Sequence, residues 1–226
     1  MADAPTEVTA GAVMRPAPPA PWLSPEVHGQ GIIMLAVCHS GSIADGERWV
    51  APLKALGGAV GDIVQRRPYV TQQSLIDATQ PKGRRYYWKS EYLPALSPDL
   101  LERVVPHARA IGSPHSAVIL FPLGETLARL PADHSAVGNR DARWVLNLTA
   151  SWERAEEDAT HIEWARAAWR DLRTFSTGGT YVNFLTEEEA SERIQSAYGP
   201  NLERLREVKR RWDPENRFRI NKNITP

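Results

Sequence analysis

A single cysteine, Cys38, stands among 226 residues, so no intrachain disulfide can form. Neither sign of charge is in excess. Twenty-seven Lys and Arg balance 27 Asp and Glu, leaving no basic surplus to neutralise a nucleic-acid backbone or to hold an anionic membrane surface. No run approaches the roughly 18 consecutive apolar residues that a helical membrane span requires. The start of the chain lacks the shape of a secretory signal, because Asp3 and Glu7 come early and no apolar stretch follows a basic one. Metal-site spacing is also missing: the six histidines are scattered, with no HExxH and no cysteine partners. The segment His39-Ser40-Gly41-Ser42 lacks the glycine spacing of a phosphate-cradling loop. These absences lead to the expectation of a cytoplasmic protein that binds neither nucleic acid nor membrane. Cys38 is expected to be a buried, inert thiol closing an apolar strand.

What is present is ordinary globular material, 42% hydrophobic and 24% charged, and long enough to bury a core. Residues 1–28 read as a lead-in, because MRPAPPAPWLSPE carries five prolines that remove backbone donors. After Gly29 the pattern predicts strands near 31–38, 61–66, 84–89, 116–122, 142–150 and 180–184. Helices are predicted near 44–56, 70–78, 98–111 and 155–174, with two more at the C-terminal end. Ser97-Pro98-Asp99 supplies an N-cap, a first-turn proline and an acidic first turn. Thr186 and Glu189 have the spacing of a capping box. The pair 116–122 and 142–150 lacks an intervening helix, which favours an α+β fold: a largely antiparallel sheet covered by helices. A doubly wound parallel sheet is the alternative.

On the strand near 142–150, Trp144, Leu146 and Leu148 alternate toward a core. Arg143, Val145, Asn147 and Thr149 take the other face, which is either solvated or the lining of a pocket against another domain. Tyr181 and Asn183 sit two apart on an expected strand, about 7 Å from each other on one face. A phenol and an amide presented together suit a site that hydrogen-bonds a ring heteroatom and moves a proton, and they equally suit a polar strand edge. Gly178-Gly179 beside them admits close approach of a backbone or a flat ligand.

The segments YVNFL at 181–185 and AYGPNLERLREVKRRWDPENRFRINKNI at 197–224 resemble the C-terminal segment of berberine-bridge-like FAD-linked oxidases. YYWKSEYL at 86–93 and HGQGIIMLAVCHSG at 28–41 are similar to the substrate domain of the same family, whose fold is of the vanillyl-alcohol-oxidase type. The resemblance implies a substrate-binding domain over 29–178, a C-terminal berberine-bridge-like segment over 179–226, and an N-terminal FAD-binding domain not present in these residues. It implies FAD as cofactor, a small-molecule substrate oxidised at an alcohol, amine or sugar carbon by hydride transfer to flavin, and a separately encoded flavin domain as a possible partner. By the same resemblance Tyr181 is a candidate base or substrate contact, Asn183, Asn221 and Asn223 are candidate flavin contacts, and Asn147 and Arg143 line the substrate pocket. The chain departs from the family pattern at Asn147, where some members carry Glu or Gln. It departs also at Gly124-Glu125 for paired glycines and at Asn139-Arg140 for a His-Arg pair. A binding or scaffolding module without redox chemistry is the other reading. A domain built to cover another is expected to expose an apolar patch, bordered by the strands bearing Asn147 and Tyr181.

Overall fold

The structure is a computed structural model describing residues 4–186, 188–189, 191–220 and 222–226, the side chains of 125 and 191 excepted. Five strands form one sheet: β1 (Val8–Pro16), β2 (Gly31–His39), β3 (Arg85–Leu93), β4 (Ala117–Pro122) and β5 (Trp144–Trp152). Their spatial order is β2-β1-β4-β5-β3, and every neighbouring pair is antiparallel. Around it run α1 (Ile43–Lys54), α2 (Tyr69–Gln73), α3 (Pro98–Arg109), α4 (Glu125–Arg129), α5 (Asp158–Leu172), α6 (Ser191–Tyr198) and α7 (Leu202–Trp212). The α+β reading holds, and the doubly wound alternative does not.

The proline-rich start departs from its expected role as a lead-in. Residues 8–16 form β1, which lies between β2 and β4 and sends Ala10 and Met14 into the interior. The prolines fall at its end and beyond, at 16, 18, 19, 21 and 25, so the strand's own ladder keeps its donors. Residues 61–66 form no strand, and the helix expected over 70–78 is the short α2.

One face of the sheet is packed by α3 and α5. Met14, Leu93, Val118, Leu120, Leu146 and Leu148 meet Leu100, Val104, Ala168 and Leu172 there, as the alternation of β5 anticipates. Helix α3 starts where its cap dictates: Ser97 Oγ accepts from the Leu100 amide at 3.2 Å, with Pro98 in the first turn. Replacing Ser97 by Ala removes that acceptor, and urea unfolding should show a loss of about 0.5–2 kcal/mol.

The β2 edge of the sheet has only β1 as neighbour, which is why Cys38 is exposed rather than buried. The β3 edge is covered by later chain. Gly179 O accepts from the Tyr92 amide at 3.0 Å, and the Thr177 amide donates to Tyr92 O at 2.9 Å. Gly178 sits at φ +90°, the left-handed region that glycine adopts without steric cost. At Gly179 a Cβ would lie 2.2 Å from Asn139 Oδ1, so only glycine lets that carboxamide pack there. Asn139 reaches on to donate to Ser196 O at 2.9 Å and Ala197 O at 3.3 Å, tying the loop before β5 to α6.

Candidate functional site

The site face is the one away from α3 and α5. Alternation along YYWKSEYL sends Trp88, Ser90 and Tyr92 to it, while Tyr87, Lys89 and Glu91 go to the helix side. The register sets Asn147 opposite Ser90 on β3 and opposite Ile119 on β4. Asn147 and Thr149 are buried, with the Thr149 hydroxyl donating to Asn147 Oδ1. Val145 is buried against Tyr92, Phe121, Leu123 and Phe184. The polar face of β5 is therefore buried and not a solvated surface, and Arg143 alone of that set is exposed, at the entrance to β5.

Tyr181 and Asn183 come together, but not on a strand. Thr180 is fully buried, its hydroxyl 2.7 Å from that of Ser90 and donating to Ser90 O at 3.0 Å. That anchor consumes the edge, and the chain turns into a 3-10 turn at Val182–Phe184, with Tyr181 extended before it. Across the turn Asn183 Nδ2 donates to Tyr181 Oη at 2.7 Å. The phenolic oxygen thus accepts, and its own proton is directed to no acceptor among the described residues. Tyr181 is 37% exposed.

Phe184 gathers an aromatic cluster. Its ring centroid lies 5.4 Å from Trp88, 6.3 Å from Phe121 and 5.0 Å from Tyr181, all at 81–86° between planes. These edge-to-face contacts match the ring quadrupoles. Tyr92 lies under the cluster, and burial, with the Tyr181 phenol beside it, pushes its phenol up to about 12. At neutral pH it is therefore a neutral phenol. Trp88 Nε1 is buried without an acceptor among the described residues.

Asn183 and Asn223 lie in different surroundings. Asn183 is exposed beside Tyr181, whereas Asn223 is half-buried with Oδ1 lacking any described donor. Asn221 lies outside the described residues. Of the two segments expected to border an apolar patch, β5 keeps Val145 buried and Tyr181 is exposed. The most exposed large apolar side chains are instead Tyr69 and Val70 on α2 and Phe218 and Ile220, at 83% and 86%, near the C-terminal end. Sequence reasoning passed over Trp88, Tyr92, Phe121 and Phe184 as site residues. The alternation of YYWKSEYL carried the signal for the first two, and nothing local announced the phenylalanines.

Behind the site, on the helix side of β3, lies a network of ions. Glu91 accepts from Trp169 Nε1 at 2.6 Å and Arg193 Nη1 at 2.8 Å, and also from the Ser176 hydroxyl. Lys89 pairs with Glu189 at 2.6 Å and Glu188 at 3.3 Å. Burial alone would lower the Lys89 ammonium, but the Glu189 carboxylate outweighs it and the net direction is upward. Glu188 also binds Arg166 and the Tyr87 hydroxyl. This network replaces the expected capping box: Glu189 is drawn to two cations, and Thr186 Oγ1 is left without a described partner. Among the described residues no group of His, Cys, Asp and Glu could hold a metal ion, and no helix is long and apolar enough to cross a membrane.

Residues 180–225 match the protein family described as berberine and berberine like. The chain is 30% identical over 210 residues to an (R)-6-hydroxynicotine oxidase of Paenarthrobacter nicotinovorans, covering 86% of this chain and 44% of that protein. It is 24% identical over 200 residues to an FAD-linked oxidoreductase of Dictyostelium discoideum, covering 87% and 43% respectively. The berberine bridge enzyme of Eschscholzia californica superposes with a TM-score of 0.79 at 14% identity, over 97% of this chain and 49% of that one. At that identity the likeness speaks for the fold alone. The C-terminal residues 180–225 are berberine-like, and the chain spans less than half the length of these two curated relatives.

Proposed function

We propose that this chain forms the substrate-facing part of an FAD-dependent oxidoreductase that oxidises an alcohol, amine or sugar carbon. The observation that carries the reading is the pairing of Tyr181 and Asn183 at 2.7 Å on the rim of an aromatic face, within a segment matching the berberine-like family. The flavin, held by a unit in the same polypeptide or supplied separately, provides the hydride acceptor.

The residues present fit such a group. The edge of a flavin ring alternates acceptors with an N–H donor. Asn183 brings an amide donor, and Asn223 Oδ1 is a half-buried acceptor still lacking a donor among the described residues. Tyr181 has a hydroxyl whose oxygen is already hydrogen-bonded and whose proton is free to be exchanged with substrate. Trp88, Phe121 and Phe184 supply a wall that excludes water and orients a flat molecule. Asn147 cannot serve as a carboxylate base, which leaves Tyr181 as the group to hold or move a proton at the reacting atom.

The test is reconstitution. The flavin-holding part of a relative is supplied by fusion or co-expression, and substrate-dependent loss of visible flavin absorbance is followed anaerobically. Reduction by any member of a panel of alcohols, amines and sugars supports the reading; a flavin-loaded complex that none of them reduces overturns it. The 226-residue chain by itself should retain little FAD, since no glycine-rich phosphate cradle follows its strands. Stoichiometric yellow flavin co-purifying with it would contradict that expectation.

A further inference from the structure

We infer that the site face carries a second binding site at its far end, where Arg15, Arg84 and His115 converge to hold a small oxyanion. The inference stands apart from the proposed function, because it needs neither flavin nor redox chemistry.

The topology brings the three side chains together. Met14 points into the core beside α3, so alternation sends Arg15, next on β1, to the opposite face. The register Met14↔Val118 sets Arg15 beside the chain leading into β4, and Arg15 Nη2 donates to Pro114 O at 2.8 Å. His115 follows directly. On the other side Arg85 opens β3 toward the helices and pairs with Asp158, so Arg84 before it turns to the site face. Ser151 lies between the two sides. It stands opposite Tyr86 on β3, and its amide donates to Ser116 Oγ at 3.0 Å on the β4 side.

What the cluster lacks is counter-charge. Arg15 donates to the carbonyls of Pro16 and Pro114, and Arg84 to that of Thr79. Neither has a carboxylate partner among the described residues. The acid at hand, Glu153, lies 3.2 Å from His115 Nε2 with its side chain 68% exposed. Burial, then repulsion from Arg84, lowers the Arg15 guanidinium. Burial and Arg84 likewise lower the His115 imidazolium, with a smaller push from Arg15, and Glu153 does not outweigh them. Two guanidiniums and an imidazole thus repel one another in a chain of zero formal charge, and a bound anion would relieve that repulsion.

Buried donors on the same face point the same way. Ser151 is fully buried, and its hydroxyl has no partner among the described residues. Trp88 Nε1 is a second buried donor without an acceptor. An oxyanion accepts several hydrogen bonds and donates none, so it suits a face with donors to spare. A cation would add to the repulsion already there.

The experiment uses the full chain without flavin, at low ionic strength, with sulfate and benzoate as probes. Both keep a constant charge between about pH 5.5 and pH 8. Binding is read from the His115 imidazole C–H signals in NMR, assigned through His115→Gln. At least one probe should shift them saturably, with a dissociation constant of about 1 mM or less. Affinity should rise at least about threefold from pH 8 to pH 5.5, because anion and imidazolium stabilise each other. Of the groups facing His115, namely Arg15, Arg84 and Glu153, none is of a type that titrates as an imidazole does in that interval. Arg15→Gln and Arg84→Gln should each weaken binding at least about tenfold, the usual worth of a charge-assisted hydrogen bond. Arg48→Gln, an exposed change on α1, should leave it unaltered. Tighter binding of benzoate, with the Trp88 indole signal moving, assigns the site to a carboxylate carried on a ring; tighter binding of sulfate assigns it to a free oxyanion. The inference is overturned if neither probe gives a saturable shift, if both Arg variants bind as wild type does, or if affinity does not rise as pH falls. Should Arg15→Gln fail to fold, Arg84→Gln and the pH series on the wild-type chain decide.

Discussion

In a flavin-loaded complex, Tyr181→Phe should slow flavin reduction by substrate by about 10²–10⁴-fold, the usual worth of a positioned proton-transfer group. The substitution keeps the ring and its edge-to-face contact with Phe184 at 5.0 Å, so only the hydroxyl is lost. Among the described residues no other side chain on the face is placed to substitute. The Tyr92 phenol is pushed up to about 12 by burial and stays protonated, and Asn147 is an amide. Single-turnover mixing separates this step from reoxidation and product release. Stability should move by no more than about 0.5 kcal/mol, because Tyr181 is more than a third exposed and its hydroxyl anchors no buried group. Asn183→Ala provides the contrast. It removes the donor to Tyr181 Oη and, on the proposed function, an amide facing flavin, so it should disturb the visible flavin spectrum or flavin retention as well as rate. A wild-type reduction rate in Tyr181→Phe would make the tyrosine a packing residue.

Much of the fold was legible because it rests on local signals. The period-two alternation of β5 and the cap at Ser97 each name an element from a few neighbouring residues, and both hold. The errors came where distant chain decides. Residues 8–16 look weak beside their prolines, yet β2 and β4 on either side make them a central strand. Cys38 sits in an apolar run, but its strand is an edge. Residues 180–184 have strand-like composition, but the Thr180 hydroxyl anchors to Ser90, 90 positions away, and the chain turns after it. The same limit applies to the site. Tyr181 and Asn183 were named from their spacing and motif, and the structure joins them by a hydrogen bond; Trp88 and Tyr92 were implicit in alternation. Phe121 and Phe184 join only through the tertiary packing of β4 and the 3-10 turn against β3.

Removing the buried carboxylate of Glu91 should cost the protein more than any loss from the site face. Glu91→Ala removes the counter-charge 2.8 Å from Arg193, 14% exposed at its side chain, and leaves it only the longer 3.5 Å contact with Glu189. Trp169 Nε1 loses its acceptor at 2.6 Å, and the Ser176 hydroxyl loses its own. Breaking a buried pair from one side typically costs about 3–5 kcal/mol, and the remaining Glu189 contact puts this loss toward the lower end. Against a total stability of about 5–15 kcal/mol that is a large share. The loss should also have a location. Arg193 donates to Ser90 O at 2.9 Å, and Ser90 is the anchor for Thr180, next to Tyr181. Hydrogen exchange should therefore accelerate first in 177–193, ahead of Leu146 and Leu148 at the centre of the sheet. Replacing both partners, Glu91→Leu with Arg193→Leu, removes the stranded charge and should recover part of the stability, although the Trp169 and Ser176 donors stay unpaired. Glu91→Gln, which keeps one acceptor oxygen but not the charge, should fall between wild type and Ala. A urea midpoint for Glu91→Ala within about 1 kcal/mol of wild type would mean that the network is incidental to holding the C-terminal segment against β3.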